Sequence, residues 1–185
     1  MHRDGVSPIR SRARDVAAAL STLPTAGDLA RGAGLYAMFL VGAVPLGIVS
    51  GLLHPSLPPL SAGGALVTAL TILLHPAFSE ELVFRVLMLP RRLETVSRER
   101  LYVSIAIALV LYVVAHPLNA YFFWPAAMPI FGNPFYLAMT TLLGLTCITA
   151  YLMSGSIWLP VLIHWLTVTL WLLLLGGQAL LQYAS

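Results

Sequence analysis

Lysine is absent from this 185-residue chain, and aspartate does not occur after Asp28. Only 9% of the residues are charged, against about 25% in an average soluble domain. So little charge excludes a fold whose surface faces water alone. The ten basic residues are all arginines, and the formal charge of +3 is clustered near the N-terminus and around residues 91–100. Such clusters report membrane orientation rather than nucleic-acid binding. The one cysteine, Cys147, lies in an apolar run and has no partner for an intramolecular disulfide. It reads as a small buried hydrophobe. The sequence has no His-Glu-x-x-His zinc helix. Without aspartates in the apolar part, an aspartyl dyad there is impossible. A serine–histidine dyad would need Ser154 or Ser156, which lie in a turn without the expected glycine setting, and Cys147 lacks an evident partner.

What is present is apolar: 59% of residues are hydrophobic, in runs long enough to cross a bilayer. The expectation is an all-α polytopic membrane bundle of about five spans in one domain. These spans are placed near Gly34–Leu53, Ala65–Leu89, Leu101–Ala120, Phe135–Met153 and Ile157–Leu175. The first run starts near Ala33, late for a signal peptide, and reads as an uncleaved helix. Residues 1–32 form an arginine-rich segment, with Arg10 to Leu29 either a surface helix or disordered. Residues 33–185 form the membrane domain. The arginines of the N-terminus and of the Pro90–Arg100 loop fall on one side, cytoplasmic by the positive-inside rule. Loops 54–64 and 121–134, on the other side, carry neither arginine nor lysine, and Phe122, Phe123 and Trp124 suit the interface. A bacterial-type plasma (inner) membrane is expected.

Ionisable residues within spans are costly and mark functional sites. Here they are His75, Glu80, Glu81, Arg85, His116 and His164. Pro76 removes a backbone hydrogen bond inside the second span, which predicts a kink. Ser79 is then placed to cap a restarted half-helix with Glu80 and Glu81 at its positive end. Glu81 and Arg85 are four apart, in the favourable order, so Arg85 neutralises Glu81. Glu80 lies about 100° around the helix. With no intrahelical cation, it is the carboxylate free to take a proton. Alternatively, the second span ends at Phe78 and Glu80–Arg92 is a surface segment. His75 either satisfies carbonyls freed by the kink or joins a site. At ~1.5 Å per residue, His164 lies roughly 10 Å, Glu80 roughly 16 Å and His116 roughly 22 Å from the arginine-rich side. Three polar groups on three helices in one middle band satisfy one another by converging. A carboxylate with two histidines activates a water and stabilises an oxyanion, which is the equipment for peptide hydrolysis. The same residues also suit a zinc site, a proton-coupled carrier or a non-enzymatic scaffold.

Glu80-Glu81-x-x-x-Arg85, then Tyr112-x-x-x-His116, then His164-x-x-x-Val168, resembles the motif series of the CPBP family. These are the CAAX-prenyl endopeptidase and bacteriocin-processing proteins, also called Abi proteins. The resemblance covers about residues 60–175. It implies a glutamate-dependent intramembrane endopeptidase without a metal or other cofactor. Its partners would be a bilayer and a membrane-associated or lipidated peptide substrate, with no nucleic acid. Carried over, Glu80 and His116 activate water, His164 stabilises the oxyanion, and Glu81 and Arg85 support them. The sequence departs from the family in two places. Tyr112 stands where phenylalanine is usual. Val168 stands where Asn or Asp is usual, and it cannot donate a hydrogen bond. Asn119, if its helix runs through Pro117, is the expected replacement donor, with Thr167 next. The family also includes members thought to be non-proteolytic scaffolds or immunity-type proteins.

Overall fold

The computed structural model describes residues 8–91, 93 and 96–183. The start of the arginine-rich segment, before Pro8, and residues 92, 94 and 95 of the charged loop lie outside the described residues. The described residues are helical almost throughout and contain no strand, only an isolated bridge between Ser56 and Leu175.

Helix α1 spans Pro8–Ser21 and α2 spans Ala26–Val49. The first long helix thus begins at Ala26 rather than near Gly34. The cause is local: Thr25 caps it, accepting from the Asp28 N–H at 3.1 Å, while the Asp28 carboxylate accepts from the Thr25 N–H at 2.9 Å. That reciprocal box satisfies two of the donors left orphaned at a helix start. The arginine-rich stretch is a helix, and it packs against protein: Ala19 is fully buried in a cluster with residues of four other helices.

Helix α3 covers Ala62–Leu87 with a break inside it. Helix α4 covers Arg98–Phe123, opened by the Ser97 side chain, and runs uninterrupted through Pro117. Two short turns, Pro125–Ala127 and Met128–Phe131, lead to α5, Pro134–Ser154. Gly155 ends α5 at φ +61°, a left-handed conformation that glycine takes without a Cβ clash. It turns the chain straight into α6, Trp158–Leu174, and α7 follows at Gly177–Tyr183. Helices α2, α3, α4 and α5 are each long and apolar enough to cross a membrane, and α6 is a shorter apolar helix of 17 residues. Exposed Val, Leu and Ile side chains along α2, α3 and α4 face outward, as a lipid-facing surface requires. The chain is an integral membrane protein.

Two buried clusters hold the bundle. One joins α1, α3, α4, α5 and α6 through Ala19, Val86, Leu89, Ala108, Ile148 and Val161. The other joins α2, α5 and α6 through Phe39, Ala43, Leu143, Cys147 and Ile163. Between them α5 crosses α4 at Gly144. A Cβ there would stand 2.7 Å from a Leu109 methyl and 3.0 Å from the Tyr112 ring. Small residues allow such approach in membrane bundles.

Gly144→Val is therefore expected to destabilise the protein by ~1–3 kcal/mol. Gly34→Ala, where an added Cβ meets nothing within 4 Å, should be neutral or slightly stabilising. Thermal unfolding of both variants in one detergent checks the contrast; equal melting temperatures would remove the close-approach account of Gly144.

Candidate active site

The break in α3 lies at His75, whose backbone is extended (φ −145°, ψ 121°), and the helix resumes at Pro76. Proline suits that first helical position because its missing N–H would be unpaired there anyway. The expected kink is present, but Ser79 does not cap the new segment. Its backbone is helical, and its hydroxyl donates to the Pro76 carbonyl at 3.2 Å and contacts His75 Nδ1 at 2.9 Å. Glu80 and Glu81 thus lie beyond the first turn, where the helix dipole has largely faded. Compensation for their charge comes from side chains. His75 is exposed and its ring meets the Ser79 hydroxyl rather than a backbone carbonyl, while the Trp165 indole donates to the Ala69 carbonyl at 2.8 Å.

The centre of the site is a buried chain of three side chains. Arg85 Nε lies 3.0 Å from Glu81 Oε2, and Glu81 Oε1 lies 2.9 Å from His164 Nδ1. Glu81 and Arg85 are fully buried and His164 is 2% exposed. The Arg85–Glu81 pair follows from their spacing, as expected. The Glu81–His164 bond was not anticipated, because which of two adjacent carboxylates meets a histidine on another helix depends on helix rotation. Glu80 faces the other edge of the same ring: its Oε2 lies 3.9 Å from His164 Nε2. Glu80 keeps 24% of its side-chain surface exposed. The alternative in which Glu80–Arg92 is a surface segment fails on the burial of Glu81, Arg85, Val86 and Leu89.

Tyr112 carries more of the site than its place in a motif indicated. It is 1% exposed, and its ring lies under the Arg85 guanidinium at 4.4 Å. That contact supports a guanidinium whose three nitrogens have no hydrogen-bond partner among the described residues, Nε meeting Glu81 as an ion pair. The same ring makes edge contacts with Phe84, His116 and His164, at centroid separations of 5.4, 5.2 and 6.1 Å. Tyr112 thus links the two histidines. Its carbonyl lies 2.9 Å from His116 Nδ1. A carbonyl only accepts, so Nδ1 carries the proton and Nε2 is the free nitrogen. Tyr136 and Phe131 pack against the other sides of His116.

His116 and His164 open onto a cavity of about 120 Å³, walled mainly by apolar side chains of α2, α4, α5 and α6. Val168 and Thr167 line it, as do Tyr36, Tyr136 and Thr140. Neither expected replacement donor is well placed. Asn119 is exposed and does not line the cavity. The Thr167 hydroxyl is engaged with the Ile163 carbonyl at 2.8 Å. Cys147 is fully buried, as expected, with Sγ 3.7 Å from the Pro160 carbonyl. Among the described residues no group of three or more His, Cys, Asp or Glu is arranged to hold a metal ion.

Residues 62–170 match the model of a family described as Rce1-like, type II CAAX prenyl endopeptidase Rce1-like. No curated protein and no solved structure matches the chain. The matched segment runs from the start of α3 into α6 and contains Glu80, Glu81, Arg85, His116 and His164, while α1 and α2 lie outside it. It takes in more than half of the chain, which therefore belongs to the Rce1-like family of type II CAAX prenyl endopeptidases, a family of intramembrane proteases.

Proposed function

We propose that the protein is a glutamate-dependent endopeptidase. Its substrates are membrane-anchored or lipidated proteins, and cleavage takes place within the plasma membrane, towards the cytoplasmic face. The single observation that carries this reading is the division of labour around His164. Glu81, fixed by Arg85, takes one ring nitrogen, and Glu80 faces the other. A histidine held by a buried carboxylate has a defined ring orientation, with Nδ1–H directed at that carboxylate. The separation of 3.9 Å between Glu80 and Nε2 is too long for a direct bond and suits an intervening oxygen.

In this mechanism Glu80, assisted by the free Nε2 of His116, takes a proton from water as its oxygen bonds to the scissile carbonyl carbon. The C=O electron pair moves onto the carbonyl oxygen. His164, protonated and held by Glu81, donates from Nε2 to that oxyanion. Collapse reforms the carbonyl and breaks the C–N bond, and the proton held on Glu80 passes to the leaving amine. The N-terminus and the Pro90–Arg100 loop are assigned to the cytoplasmic side on their arginines. Val168 leaves the oxyanion with one donor fewer than the family pattern supplies. A scaffold role for the same fold is the reading that this residue favours.

Glu80→Gln is expected to lower kcat on a cleaved membrane peptide by ~10²–10⁴-fold, while a chelator leaves the parent unaffected. Turnover at the parent rate in Glu80→Gln would remove Glu80 from the chemistry. Glu81→Gln leaves Arg85 buried without its counter-charge. It should cost ~3–5 kcal/mol of stability, read as a lowered melting temperature, whereas Glu80→Gln should not. Val168→Asn supplies the missing donor, and one such donor is worth ~10²–10³ in rate. A rise in kcat of at least tenfold is expected; no rise, in a folded variant, would count against an oxyanion site beside residue 168.

A further inference from the structure

The proposed chemistry draws on α3, α4 and α6, and the 2.9 Å contact from Glu81 to His164 depends on the relative height of α3 and α6. A slide of one helix along the other by about 1 Å, a displacement that costs on the order of 10²-fold in rate when it misplaces reacting groups, would break it. Helix α1, which lies outside the family-matched segment, grips both helices next to the site.

On α3, Arg12 Nη1 donates to the Leu89 carbonyl at 3.2 Å and Nη2 donates to the Leu87 carbonyl. Leu87 ends that helix and Leu89 lies two residues beyond it, so the guanidinium sits at the carbonyl end of α3, where a cation complements the helix dipole. The Leu89 N–H in turn donates to the Arg85 carbonyl at 2.9 Å, one turn from the ion pair. On α6, the end of α1 offers carbonyls to donors at the helix start. The Trp158 indole donates to Leu20 at 2.8 Å, the Ile157 N–H to Ala19 at 3.2 Å and the Ser156 hydroxyl to Thr22 at 2.6 Å. Between the two grips, Ala19 of α1, Leu89 beyond the end of α3 and Val161 of α6 share one buried cluster. Val161 lies one turn before His164.

We propose that α1 is a clamp that sets the height of α3 against α6, with Arg12 and Trp158 as positioning residues for the Glu81–His164 contact. The inference rests on the peptidase reading, since it assigns the clamp a role in that reaction. Arg12→Ala removes the guanidinium grip on the end of α3 and leaves in place the contact of Arg91 Nη2 with the Thr22 hydroxyl at 3.0 Å. Arg12→Lys retains the charge but lacks the guanidinium fork that spans two carbonyls. Trp158→Phe removes the indole N–H together with part of the ring, and keeps an aromatic ring near Phe78, now 5.9 Å away.

The test combines kinetics with a distance. In proteoliposomes, Arg12→Ala and Trp158→Phe are expected to lower kcat by ~10–10²-fold with KM within about twofold, and Arg12→Lys to fall between. Spin labels at Val83→Cys on α3 and Leu162→Cys on α6, both exposed positions, report the helix separation by pulsed electron resonance. Native Cys147 is fully buried and stays unlabelled. A narrow distribution in the parent should broaden or shift in Arg12→Ala. An unchanged distribution overturns the clamp whatever the turnover. A changed distribution with parental kcat overturns its role in positioning. The distance needs no turnover, so a parent without peptidase activity would sink the peptidase reading separately from the clamp.

Discussion

The buried ion pair between Glu81 and Arg85 is the constraint on which the rest of the structure depends. Two full charges withdrawn from water are costly unless each meets the other. The pair settles this with three neighbours. His164 takes the second carboxylate oxygen, the Tyr112 ring lies under the guanidinium, and Gly144 leaves room for that ring. Each neighbour comes from a different helix, so satisfying one pair draws α4, α5 and α6 around α3. The two histidines then both contact the Tyr112 ring and open onto one cavity.

The family-matched segment does not build this surrounding alone. Tyr36, Phe39, Leu40 and Ala43 of α2 form one wall of the cavity, and α1 fastens the end of α3 to the start of α6. Both helices precede residue 62. The residues proposed to carry the chemistry thus lie within the matched segment, while the shape of the chamber and the bracing of the site come partly from outside it. Val168 fits this picture: it adds an apolar surface to a chamber that is already mostly apolar.

Much of the fold was legible because it follows from local rules. Apolar runs gave the spans, Pro76 gave the break, and the i, i+4 spacing gave the Glu81–Arg85 pair. Errors arose where a local signal met a stronger neighbour. The first long helix starts earlier than hydropathy indicated because the Thr25–Asp28 box fixes its start at Ala26. Ser79 fails to cap because Pro76 already takes the first helical position. Asn119 sits on the continuous helix expected of it, yet is exposed and does not line the cavity.

The sequence by itself determined a membrane-embedded helical bundle with two carboxylates, an arginine and two histidines at similar depths. Composition and periodicity suffice for that, since each property is set within a single helix. Only the tertiary structure decided that His164 bonds Glu81 and faces Glu80 across a wider separation, that Tyr112 carries Arg85, and that Arg12 reaches the end of α3. Those contacts depend on how each helix is rotated and how far it is slid against its neighbours. Packing among all of the helices fixes these two quantities, and no single segment encodes them.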